Sequence, residues 1–266
     1  MRKPATGDRL GSFAAEGCKS LRASEAKALG RHILHLIVAG ELDEAHASLS
    51  PALVQRIPFR TLDWIGEEIG AGPVPPARAF LQGVVDADSL GGWPIVGSAL
   101  ARQMDRDPTG VLKACRGFII TGGKWFSTDI LAERVLGCAL ASDFEGSLEQ
   151  LSPWRDDRDR WVRRALGVGI HNWGKRSHGS KGLSHQADVL LAFLEPLFEE
   201  NELDAVKGIG WGLKTIGRFY PDRLARWLHD QLFIKRLPHR KLMLRKALTY
   251  LSQDQRALAQ GARQPS

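Results

Sequence analysis

Apolar residues return every three or four positions along most of the chain, as in Leu29, Ile33 and Leu36, then Leu190, Leu194 and Leu197, then Ile209, Leu213 and Ile216. That period matches one face of an α-helix, and the strict alternation of a half-buried strand is not sustained anywhere. Gly and Pro clusters at Gly70 to Pro76, Gly91 to Pro94, Asp107-Pro108, Gly122-Gly123, Gly174 to Gly182, Tyr220-Pro221 and Leu237-Pro238 interrupt the pattern. The punctuation predicts a dozen or so helices of about ten to seventeen residues joined by short connections.

Helix pairs recur at roughly 35–50 residues, the interval of HEAT-like arrays, with weak self-similarity between them. A single pair cannot bury its apolar face, so the expected fold is an all-α superhelix, a solenoid of HEAT-like repeats with a concave basic groove. A compact helical domain satisfies the same periodicity. The expected boundaries are a flexible N-terminal segment at 1–22, one helical-repeat domain at 23–252 and a tail at 253–266.

Composition narrows this further. With 266 residues the chain buries a substantial core without staples, and its three cysteines, Cys18, Cys115 and Cys138, are too far apart for a C-x-x-C zinc site or a disulfide framework. Reduced thiols suit a cytoplasmic protein. The opening MRKPATGDRLGS has early positive charge but no apolar run behind it, so neither a signal peptide nor a membrane span is expected. A formal charge of +7 points toward a polyanionic partner.

Three segments carry candidate chemistry. In Gly122-Gly123-Lys124-Trp125-Phe126-Ser127-Thr128-Asp129, a helix starting at Lys124 puts Trp125 and Asp129 on one face, whereas Ser127 as N-cap leaves Asp129 complementing the helix dipole. In Asp159-Arg160-Trp161-Val162-Arg163-Arg164 the two last arginines cannot point the same way. Either a solvated ion pair with Asp156, Asp157 or Asp159, or a bidentate contact to phosphate or carboxylate, accounts for them. In Val206-Lys207-Gly208-Ile209-Gly210-Trp211-Gly212 the glycines lack a preceding strand, so close helix packing explains them better than a dinucleotide loop, with Trp211 either buried or facing a groove. Basic residues gather downstream at Lys235, Arg236, Arg240, Lys241, Arg245 and Lys246, and around His178 at Lys175, Arg176 and Lys181, as phosphate contacts or as solubility charges. His32 and His35 lack the further ligands that a metal site needs, and no cofactor is expected.

These runs, with Arg245-Lys246-Ala247-Leu248-Thr249-Tyr250-Leu251, resemble the AlkD-type DNA glycosylases, the HEAT-repeat family of DNA alkylation repair proteins, from about Ile57 to Leu251. The resemblance implies an α-solenoid cradling double-stranded DNA with alkylated bases, Asp129 as the catalytic carboxylate, and Trp125 and Trp211 lining the cleft beside the lesion. It also implies that Arg164 contacts the DNA backbone, with Lys207, Arg245 and Lys246 as further backbone contacts. The implied activity is monofunctional: hydrolysis of the N-glycosidic bond of N3- and N7-alkylpurines, initiating base excision repair in the cytoplasm, at the nucleoid when bound. The family's N-terminal cleft tyrosine has no counterpart, since the tyrosines here are Tyr220 and Tyr250; Phe59 or Trp64 is the candidate for its place. The loop between Trp173 and Ala187 reads as longer than usual. With no obvious general acid beside Asp129, poor activity on neutral lesions such as uracil is expected. The alternatives are a non-catalytic module binding damaged or branched DNA, and a protein-binding scaffold.

Overall fold

The computed structural model describes residues 21–261, and among them the regular elements are helices without a strand. In chain order they are α1 (Ala23–Ala39), α2 (Leu42–Val54), α3 (Phe59–Gly70), α4 (Val74–Asp86), α5 (Gly92–Gln103), α6 (Pro108–Gly122), α7 (Trp125–Leu131) and α8 (Gly137–Ser142). They continue with α9 (Phe144–Leu151), α10 (Arg160–Ser177), α11 (Ser184–Leu194), α12 (Leu203–Phe219), α13 (Pro221–His229), α14 (Lys241–Ala247) and α15 (Gln253–Ala259). A π turn at Ala132–Leu136 joins α7 to α8 as one continuous rod. No helix among the described residues is long and apolar enough to cross a membrane.

Local chemistry sets the starts. Asp107, Asp143 and Asp159 accept hydrogen bonds from the first-turn amides of α6, α9 and α10, each such cap contributing about 1 kcal/mol. Pro108 and Pro221 occupy first-turn positions, where a missing amide hydrogen costs nothing.

The helices form a solenoid of two rows. One row runs α1, α3, α5, α7–α8, α10, α12, α14, and the other carries α2, α4, α6, α9, α11, α13 and α15. Glycine draws the first row together. A Cβ on Gly66 would lie 2.3 Å from the Ile95 carbonyl oxygen, one on Gly70 2.4 Å from that of Ala99, and one on Gly208 2.5 Å from that of Arg164. At the α3–α5 and α10–α12 steps the helices thus lie backbone against backbone. Between the rows lies the apolar core, with Ile33, Phe80, Trp93 and Phe198 almost wholly buried.

Two boundaries differ from the sequence expectation. Trp173 is not in a loop: α10 runs through it to Ser177, because Gly174 packs against the Thr215 side chain on α12 instead of breaking the helix. The true connection holds a short 3-10 turn at Lys181–Leu183. The expected tail at 253–266 begins with α15, started by reciprocal capping between Ser252 and Gln255 and tied to α13 by the Gln255 amide donating to Asp222. Of the expected N-terminal segment 1–22, residues 1–20 lie outside the described residues.

Candidate active site

Gly123 ends α6 in the left-handed region (φ 53°), and Lys124 restarts the chain in an extended conformation. The hydroxyls of Ser127 and Thr128 both donate to the Lys124 carbonyl, at 3.0 and 2.8 Å, which fixes Trp125 as the first helical residue. Of the two registers open to the sequence, the earlier one therefore holds, and Trp125 and Asp129 stand on successive turns of one face. Trp125 is 61% exposed, edge-on to Phe126, whereas Asp129 is 9% exposed.

Across the row, the Asp159 cap begins α10 and sends its two arginines in opposite directions. Arg163 pairs with Glu200 and donates to the Asp157 carbonyl. Arg164 turns to Asp129: its Nε and Nη2 donate to the two carboxylate oxygens at 2.8 Å each, and Nη1 donates to the Asp204 carbonyl at 2.9 Å. Three of its five N–H groups are thus used inside the protein, and Arg164 is only 6% exposed. Arg164, which the resemblance implies contacts the DNA backbone, also clasps the candidate catalytic acid. Gly208 lets α12 lie directly against Arg164, where a Cβ would fall 2.5 Å from its carbonyl oxygen.

Glycines at two-residue spacing on α12 serve two neighbours. Gly208 and Gly212 meet α10 at Arg164 and Gly167, while Gly210 receives the aliphatic stem of Lys246 from α14. Trp211, half-buried between them, stacks on His171 of α10 with ring centroids 4.0 Å apart. The Thr215 hydroxyl donates to the Trp211 carbonyl and accepts from His171 Nδ1 at 2.6 Å, which assigns the Nδ1–H tautomer. Burial, helped by Lys175 and Lys214, lowers the His171 pKa to about 4, so the ring under Trp211 is neutral. About 10 Å of helix separates Arg164 from His171, placing the carboxylate and the stacked indole along one strip of the inner row.

Cations surround this strip. Lys207, Arg245 and Lys246 converge with Lys214, and the Lys246 pKa is lowered by burial first and then by Lys214, Arg164, Arg245 and Lys207. Lys207 also pairs with Asp204 at 3.4 Å. Phe59 opens α3 beneath the Arg134 guanidinium, whose centre is 5.9 Å from the ring, whereas Trp64 packs with Arg60.

Residues 94–251 match the family described as DNA alkylation repair enzyme. The chain belongs to that family. The matched stretch contains Trp125, Asp129, Arg164, Lys207, Trp211, Arg245 and Lys246, so the site lies wholly within the family's region. Membership assigns this DNA alkylation repair enzyme its role, with DNA as partner. No curated protein and no solved structure matches the chain.

Sequence reasoning did not single out His171, Glu133 or the half-buried pair Arg134–Asp63, in which Asp63 also accepts from Ser98 at 2.7 Å. His171 lies seven residues after Arg164, two turns along one face, and that spacing was the available signal.

Proposed function

We propose that the protein is a monofunctional DNA glycosylase that hydrolyses the N-glycosidic bond of N3- and N7-alkylpurines in duplex DNA. The observation that carries this reading is the Asp129 carboxylate, fixed in orientation by Arg164 and opening on the same strip as the exposed Trp125 and the stacked Trp211.

An N7- or N3-alkylated purine is already cationic, so the C1′–N9 electron pair can leave with a neutral base and no proton donor. The sugar is what needs help. A carboxylate held in one geometry stabilises the oxocarbenium-like sugar and orients the water that adds to C1′. Arg164 tempers the charge of Asp129, but it also removes the cost of reorganising the carboxylate as the reaction proceeds. Indole faces at Trp125 and Trp211 favour the cationic lesion over a neutral base by about 0.5–2 kcal/mol each. The convergent Lys207, Lys246 and Arg245 supply a phosphate track beside them.

Asp129→Asn tests the reading on a duplex carrying one N7-methylguanine. Base release should fall about 100- to 1,000-fold while affinity for the same duplex is kept or raised. Unchanged release removes Asp129 from the chemistry. The clasp also suits a non-catalytic DNA-binding module in which Asp129 merely joins α7 to α10; in that case the wild-type protein binds the duplex and releases nothing.

A further inference from the structure

Four residues beyond Asp129, on the stripe that begins with Trp125, stands Glu133 in the π turn. Asp129 is near enough to act on the Glu133 carboxyl electrostatically. Glu133 is half-buried, and among the described residues it makes no hydrogen bond or ion pair. It lines a cleft of about 460 Å³ on the inner row, a volume within the range that holds small organic ligands. Two carboxyl groups therefore lie near each other in different circumstances: Asp129 is clasped by a guanidinium, and Glu133, with no hydrogen-bond partner among the described residues, faces a cleft that Arg60, Arg102, Arg134 and Arg176 also line. Environments that separate two acids in this way divide the work of glycosidic cleavage between a charge stabiliser and a proton donor.

We propose that Glu133 is a general acid that extends the substrate range from cationic to neutral purine adducts. The inference rests on the role proposed for Asp129. The Glu133 carboxyl gives its proton to N7 or N3 of the neutral purine, and the C1′–N9 bond breaks with its electron pair passing to the protonated base, which leaves uncharged. Asp129 faces the cationic sugar, water oxygen bonds to C1′, and the water's proton returns to the Glu133 carboxylate. One water is consumed and the acid is regenerated.

The groups around Glu133 support the assignment. Burial raises its pKa above the ordinary glutamate value, Lys175 of α10 and the adjacent Arg134 pull it back, and Asp129 and Asp63 of α3 raise it further. Arg134 is itself neutralised by Asp63, and Arg60 and Glu67 of α3, Arg102 of α5 and Arg176 of α10 line the same cleft.

The test compares release of hypoxanthine, a neutral base, with release of N7-methylguanine from otherwise identical duplexes between about pH 8 and about pH 5, each corrected for loss without enzyme. In the wild-type protein the ratio of hypoxanthine to N7-methylguanine release should climb as pH falls, and Glu133→Gln should lower that ratio roughly 100-fold and flatten its pH profile. A wild-type ratio that does not change with pH, or a variant that slows both substrates equally, overturns the proposal. The wild-type profile needs no variant to fold. Absence of N7-methylguanine release from the wild type would instead strike the role of Asp129, with the hypoxanthine series still judging Glu133.

Discussion

Arg164 grips Asp129 through two parallel hydrogen bonds of 2.8 Å, with both side chains nearly withdrawn from water. Removing one member of such a pair strands the other charge, at a cost of about 3–5 kcal/mol. Arg164→Ala should therefore lower stability to urea by that amount and abolish base release together. Arg164→Lys keeps the charge but not the planar fork, and should recover part of the stability without recovering orientation or activity. An alanine variant as stable as wild type would mean that the clasp contributes nothing.

The contact between α10 and α12 has no room for a methyl group. A Cβ on Gly208 would sit 2.5 Å from the Arg164 carbonyl oxygen and 2.6 Å from its Cγ, so Gly208→Ala must push the helices apart or displace the clasp. A loss of about 1–3 kcal/mol is expected, accompanied by slower base release. Gly117, on α6, has nothing within 4 Å of its notional Cβ, and Gly117→Ala should instead add up to about 1 kcal/mol through helix propensity alone. Thermal unfolding of the two variants side by side separates packing from propensity.

That contrast explains what the amino-acid order disclosed and what it withheld. The all-helical class followed from the three-to-four periodicity, whereas the shared face of Trp125 and Asp129 was one of two registers that the sequence left open. Periodicity reports which way a side chain points on its own helix, but not which neighbour it meets. Arg163 and Arg164 are adjacent and chemically identical and diverge on their helix, but only the neighbours met in the fold show that one reaches Glu200 and the other Asp129. Gly174 read as a breaker because loop glycines and packing glycines look alike in sequence. Ser252 and Gln255 did carry a capping signal for α15, but the tie to Asp222 that fixes the helix comes from 33 positions earlier.

His171 makes stability depend on pH in the acid range. The unfolded chain, with an imidazole near pKa 6.5, takes up a proton between about pH 6.5 and 4 that the folded chain refuses, since its own value is about 4. Stability contributed by the neutral ring is therefore complete above pH 6.5 and is lost as pH falls toward 4. Discounting for the part of the ring that water reaches, the loss is on the order of 1–2 kcal/mol. Urea unfolding of wild type and His171→Gln at pH 7 and pH 4 checks this: the acid-induced loss should be smaller in the variant by that amount, and equal losses would show that His171 does not titrate as described.

Lys246 joins packing to phosphate binding. Its stem lies against Gly210 of α12 while its ammonium sits among Lys214, Arg164, Arg245 and Lys207, which, after burial, hold its pKa down. A phosphate placed there would raise that pKa again, so binding DNA takes up a proton once the pH exceeds the value in the free protein, and affinity should decline on the alkaline side. Lys246→Met keeps a long apolar stem and removes the charge. The variant should bind duplex DNA more weakly, with the slope of log affinity against log salt reduced in magnitude by roughly 0.9, and with the alkaline decline diminished. Lys207→Ala and Arg245→Ala should each reduce the salt slope similarly. Fluorescence anisotropy titrations across salt and pH measure both effects, and a salt slope unchanged in all three variants would place the DNA backbone elsewhere on the protein.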